Sequence, residues 1–152
     1  MRLNDCHNFH DFRKLAQRRL PSPIFNYIDG AADDEATYRR NTAAFEDVDL
    51  LPRVLRGTVD VDTSVTVMGQ KLALPFYLSP TALQRLFHHQ GERAVAAAAS
   101  KYGTMFGVSS LGTVSLEEVR KFAGPQVYQF YFHKDRGLNR AMMARAKQAG
   151  VN

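Results

Sequence analysis

The chain has 152 residues, 45% apolar and 23% charged, with twenty Lys+Arg against fifteen Asp+Glu for a net charge of +5. That size and balance suit one globular domain with a real core and exclude a disordered or fibrous chain. One cysteine, Cys6, excludes an internal disulfide framework, the basic residues form no block that would mark a nucleic-acid patch, and no window approaches the ~18 apolar residues of a spanning helix.

In chain order, Asn8 to Leu20 sets Phe9, Phe12, Leu15, Ala16 and Leu20 at helical spacing, which predicts an amphipathic helix stopped by Pro21. Ser22 as N-cap and Pro23 as first helical residue predict a second helix, short, ending before Gly30. The acidic cluster Asp33-Asp34-Glu35 predicts the opening of a third, running to about Phe45, with negative charge at its positive end. From Asp60 to Lys71 the period changes: Val61, Thr63, Val65 and Val67 alternate with polar residues, and Met68-Gly69-Gln70 predicts a tight turn in a small hairpin.

A repeating pattern follows. Apolar runs at Leu74 to Ser79, Thr104 to Ser109 and Val127 to Phe132 alternate with helical stretches at Gly91 to Tyr102, after Ser115 (with Glu118 a capping box) and at Asp135 to Ala149. Three βα units in succession predict an α/β protein with a parallel sheet and right-handed crossovers.

Ligands of such folds sit at the carboxyl ends of the strands, where the βα loops converge. Here those ends carry Ser79-Pro80-Thr81-Ala82, then Ser109-Ser110, then Gln129 and Tyr131. If Val127 to Phe132 is one strand, Gln129 and Tyr131 share a face and Tyr128, Phe130 and Phe132 share the other. Buried amides and phenols are costly unless hydrogen-bonded, so a strand aiming two of them together suits a ligand; pairing with neighbouring backbone is the plainer alternative. Hydroxyl, amide and phenol recognise a polar planar ring better than they transfer protons. The glycines form no phosphate-binding fingerprint, and His88, His89 and His133 lack partners at metal-ligand spacing, so no metal is expected.

Several motifs occur in order: Asn26 to Glu35 (NYIDGAADDE), Leu51 to Leu55 (LPRVL), Leu78 to Ala82 (LSPTA), His88 to Arg93 (HHQGER), Ser109-Ser110, and Gln129 to Tyr131 followed by Lys134 to Arg136. Together they resemble the N-terminal part of the FMN-dependent 2-hydroxy-acid dehydrogenases and oxidases, and most of all the cytochrome-type L-lactate dehydrogenases, from about Leu20 to Asn152. The resemblance implies a (β/α)8 TIM barrel with FMN at its carboxyl end. Of this barrel the chain would hold a helical lead-in (1–58), a hairpin closing the bottom (59–73) and the first three βα units (74–152), all part of a single domain.

By resemblance, Tyr27 and Tyr131 bind substrate, and Pro80, Thr81, Ala82, Ser109 and Gln129 contact the flavin. The family's general-base histidine, its substrate-binding arginines and the lysine beside the flavin come from later strands. No catalytic residue is therefore assigned here, and the chain alone is expected to be inactive. Ala31 stands where the family has glycine.

The implied substrate is a small 2-hydroxy acid, L-lactate foremost, with a quinone or cytochrome as electron acceptor. The implied assembly is a homo-oligomer, and nucleic acid is not an expected partner. Cytoplasmic residence is expected, with peripheral attachment to the inner face of the cell membrane as the variant. An oxygen-using oxidase of glycolate or lactate type and a non-catalytic binding module remain as alternatives.

Overall fold

The computed structural model describes residues 2–57, 59–122 and 124–151. The chain divides into two compact units, Met1–Asp60 and Val61–Asn152.

The first unit is helical. After a 3₁₀ turn at Leu3–Asp5 come α1 (Phe9–Arg19), α2 (Ser22–Asp29) and α3 (Ala36–Ala43). Asn8 caps α1, its side chain accepting from the Asp11 backbone N–H, one of the orphan donors that every helix start leaves. Among the described residues of this unit, Leu15 of α1 and Phe25 of α2 are the buried side chains. The Arg13 guanidinium donates to both carboxylate oxygens of Asp29, joining the two helices.

Two helix starts differ from expectation. Pro21, not Ser22, holds the N-cap position of α2, with no side-chain cap; Pro23 fits the first turn equally well one residue on, since that N–H is unused anyway. The acidic cluster lies in the turn before α3, where Asp33 and Glu35 have φ of 48° and 59°. Glu35 becomes the N-cap instead of the opening of the helix.

The second unit opens with the expected hairpin, β1 (Val65–Val67) antiparallel to β2 (Gln70–Leu72). Its two-residue turn puts both Met68 (φ 51°) and Gly69 (φ 73°) in the left-handed region, as a turn matching strand twist requires. Next come β3 (Tyr77–Leu78), α4 (Glu92–Tyr102), β4 (Met105–Ser109), α5 (Leu116–Val119), β5 (Gln126–Gln129) and α6 (Arg136–Gln148). The three later strands form a parallel sheet in the order β3-β4-β5, each joined to the next by a helical crossover.

The core lies between sheet and helices. Phe106 and Val108 of β4 pack with Ala96 and Ala99 of α4, Leu116 and Val119 of α5, and Ala146 of α6, and Tyr128 of β5 joins them. Alternation then turns Met105, Gly107 and Ser109 of β4, and Val127 and Gln129 of β5, to the other face of the sheet. At the amino ends of the strands the hairpin is tied on by a reciprocal pair. The Gln70 amide nitrogen donates to the Gln126 carbonyl at 3.2 Å, and the Gln126 N–H donates to Gln70 Oε1 at 3.1 Å. Among the described residues, no helix is long and apolar enough to cross a membrane.

Candidate active site

The parallel register pairs Ser109 directly with Gln129 at the carboxyl ends of β4 and β5. Both side chains stand on the face away from the helices, and they meet. Gln129 Oε1 accepts from Ser109 Oγ at 3.3 Å, from the Ser110 N–H at 3.4 Å and from Ser110 Oγ at 3.5 Å. The Ser110 N–H donates chiefly to the Gln129 backbone carbonyl at 3.0 Å and is only shared with Oε1, while the amide nitrogen lies on the side away from these contacts. That nitrogen donates to no partner among the described residues. Ser109 Oγ in turn accepts from the Leu111 N–H at 3.2 Å, which folds the loop back over the strand end.

The turn after β3 reaches the same place because β4 has a glycine there. A Cβ on Gly107 would stand 2.8 Å from Pro80 Cδ and 2.9 Å from Pro80 N. Pro80, at the start of the turn, therefore lies against the middle of β4. The Leu83 N–H then donates to the Leu111 carbonyl at 3.1 Å, and the Gln84 side chain, itself buried, donates to the Thr81 carbonyl at 3.2 Å. The three strand ends singled out in the sequence are thus neighbours: Pro80 packs on Gly107 of β4, which ends in Ser109 beside Gln129, whereas Thr81 lines a hollow toward α4 with Gln84, Ala94 and Val95.

Tyr131 differs. The strand ends at Gln129, so the face shared by Gln129 and Tyr131 does not exist as expected, and Tyr131 is 55% exposed in the following loop. The reason lies in the pairing: β4 ends at Ser109, opposite Gln129, and no further β4 residue remains to extend the ladder. Beyond that point the chain is held by Asn139, buried in α6, whose side chain accepts from the His133 N–H and donates to the His133 carbonyl, both at 2.9 Å. Tyr27 belongs to the first unit, in α2, and is 58% exposed.

Two ion pairs tie the helices of this unit to one another. Arg93 on α4 bonds Glu118 on α5 at 2.6 Å, and this hydrogen bond holds the Glu118 carboxyl below the usual range. Arg145 of α6 grips both oxygens of Glu117 at 2.6 and 2.8 Å, drawing its carboxyl down to about 2. Burial pushes the Tyr128 phenol up, consistent with its place in the core. Among the described residues no group of three His, Cys, Asp or Glu side chains could hold a metal ion. His88 and His89 stack on each other, ring centroids 4.3 Å apart.

Four residues that the sequence did not single out one by one, Gln84, Glu92, Gly107 and Asn139, build this region. Gly107 had a legible signal, a glycine inside an apolar strand pattern, which often marks close backbone approach. The buried polar side chains had none, because a Gln, Glu or Asn in a helix reads as solvated until its burial is known.

Parallel strands joined by helical crossovers, with polar side chains at their carboxyl ends, define an α/β protein. The FMN-dependent dehydrogenase family matches residues 16–152, and the chain belongs to that family. It is 40% identical over 148 residues to an L-lactate oxidase of Nostoc sp., covering 94% of this chain and 40% of that protein. It is 41% identical over 142 residues to an L-lactate dehydrogenase of Pectobacterium atrosepticum, covering 93% of this chain and 37% of the other. A glycolate oxidase of Oryza sativa subsp. indica is 36% identical over 150 residues, covering 97% and 40%. Among solved structures, a mandelate oxidase superposes with a TM-score of 0.86 at 37% identity over 93% of this chain and 43% of its own.

The chain therefore spans about two fifths of the length of these relatives. Family and neighbours together give the fold class as that of a TIM-barrel flavoenzyme, with FMN as the family's cofactor.

Proposed function

We propose that this chain supplies one wall of the FMN site in an enzyme oxidising a small L-2-hydroxy acid, L-lactate to pyruvate. β3-α4, β4-α5 and β5-α6 are, on this reading, the first three βα units of an eight-fold barrel, in one domain with the helical lead-in and the hairpin. The observation that carries the proposal is the Ser109–Ser110–Gln129 cluster with its unspent amide donor, placed beside the Pro80 turn. An amide donor flanked by hydroxyls and close-lying backbone fits the edge of a planar heterocycle rich in N–H and C=O groups.

When bound, FMN would accept the electrons leaving the substrate carbon. The chain's own residues hold and orient. Gln129, Ser109 and the Pro80-Thr81-Ala82 backbone would fix the ring, and Tyr131 would donate a phenolic hydrogen bond to the substrate. No group at the described strand ends is a strong base, so proton removal falls to residues other than these.

The test has two stages. FMN titrated into the full-length polypeptide should quench its fluorescence with saturation, and anaerobic L-lactate should then bleach the visible flavin absorption. Absence of saturable quenching would refute the cofactor reading; bleaching by glycolate or mandelate but not lactate would refute the substrate. Relatives named as oxidases favour a second reading, with dioxygen rather than a quinone or cytochrome as acceptor. Immediate return of the absorption on admitting air would decide for it.

A further inference from the structure

Glu92, the first residue of α4, is 0% exposed, and a buried carboxylate is costly unless its oxygens are hydrogen-bonded. Both oxygens are satisfied by one residue in the loop after β4. The Thr113 N–H donates to Oε1 and the Thr113 hydroxyl donates to Oε2, each at 2.7 Å. The direction of the second bond is fixed by the chemistry of its neighbour. The Arg85 N–H donates to Thr113 Oγ1 at 3.2 Å, so the single hydroxyl proton is left for Glu92.

Three segments therefore meet at the Glu92–Thr113 pair: the start of α4, the loop from β4 that carries Thr113, and the connection from β3, whose Arg85 N–H bonds the Thr113 hydroxyl. A negative side chain in a first helical turn is ordinary. Such a role calls for neither complete burial nor a two-pronged grip on a residue 21 positions away. The loop also passes over it in van der Waals contact, since a Cβ on Gly112 would stand 3.5 Å from Glu92 Oε1. Both connections held in this way end in the candidate site. The one from β3 carries Pro80-Thr81-Ala82, and the one from β4 begins with Ser109-Ser110.

We infer that Glu92 is a positioning residue: through Thr113 it locks the β3–α4 and β4–α5 loops together and so sets the spacing between the Pro80 turn and the Ser109–Gln129 pair. The inference rests on the flavin reading for its consequence, though not for the lock itself. Thr113→Val keeps the shape of the side chain and removes its hydroxyl, leaving one Glu92 oxygen and the Arg85 N–H unpartnered. Thr113→Ser restores the hydroxyl. Glu92→Gln keeps one acceptor oxygen and should fall between the two.

Two readouts on the full-length polypeptide separate the claims: amide hydrogen exchange, and FMN affinity by fluorescence quenching. In Thr113→Val, exchange at residues 83–85 and 111–113 should quicken about tenfold or more, the scale of one lost hydrogen bond to a carboxylate. Exchange in α6 should stay unchanged and FMN should bind about tenfold more weakly, while Thr113→Ser returns both to parental values. Quickened exchange confined to the first turn of α4 would overturn the lock. Loosened loops with unaltered FMN affinity would overturn the positioning role. A parent polypeptide that never binds FMN would instead overturn the flavin reading, whatever the exchange data show.

Discussion

Gly107→Ala is the sharpest probe of how the site is assembled. The added Cβ would lie 2.8 Å from Pro80 Cδ, 2.9 Å from Pro80 N and 3.2 Å from the Leu78 carbonyl oxygen. Carbon atoms normally rest at roughly 3.5–4.0 Å, so the turn would have to retreat by about 0.7 Å. The obstructing atoms are backbone and a rigid ring, which cannot swing aside as the end of a flexible side chain would. Overpacking of that kind costs about 1–3 kcal/mol. In a unit the size of Val61–Asn152, each kcal/mol lowers Tm by about 4–8 °C. The same retreat would carry Pro80-Thr81-Ala82 away from Ser109 and Gln129, so FMN affinity should fall together with Tm. Thermal unfolding by circular dichroism and FMN titration measure the two effects. A variant within about 0.5 kcal/mol of the parent and with unchanged FMN affinity would refute the close packing of the turn on β4.

Gln129→Glu retains an acceptor for the Ser109 and Ser110 donors but loses the outward amide nitrogen, so fold stability should hold while FMN affinity drops at least about tenfold; equal affinity would remove Gln129 from the cofactor site. Tyr131→Phe changes an exposed side chain and should shift stability by less than about 0.5 kcal/mol. It should lower turnover with FMN retained, and release of FMN at unchanged turnover per bound flavin would contradict the substrate-side role. Glu117→Gln removes the partner of Arg145. Because the Arg145 hydrogen bond depresses the folded carboxyl to about 2 from its ordinary 4.5, this pair stabilises fully above pH 4.5 and loses its effect as pH falls toward 2. Parent and variant melting curves should therefore converge across that acid window, and a gap that is constant with pH would show that the carboxylate is not the cause.

Local pattern determined much of this protein. The 3.6-residue spacing in α1, α4 and α6, the Ser115 cap, the hairpin turn and the three apolar runs could all be read in order, because each depends on neighbours within a turn or a strand. The ordered motifs also carried the family, which the comparison then established over residues 16–152. Strand ends were less legible: Val127 to Phe132 reads as one continuous strand, but only the register with β4 decides that pairing stops at Gln129 and leaves Tyr131 in a loop. Half of the Ser115 capping box was likewise redirected. The Ser115 hydroxyl oxygen accepts from the Glu118 N–H as the pattern implies, whereas the Glu118 carboxylate pairs with Arg93 of α4.

The sequence by itself determined which residues are polar at the strand ends. Only the tertiary structure decided that Ser109, Ser110 and Gln129 share one oxygen, that Gly107 admits Pro80, and that Glu92 is buried against Thr113. Those contacts join residues some 20 or more positions apart, and short-range periodicity fixes which way a side chain faces but not what arrives opposite it from another strand.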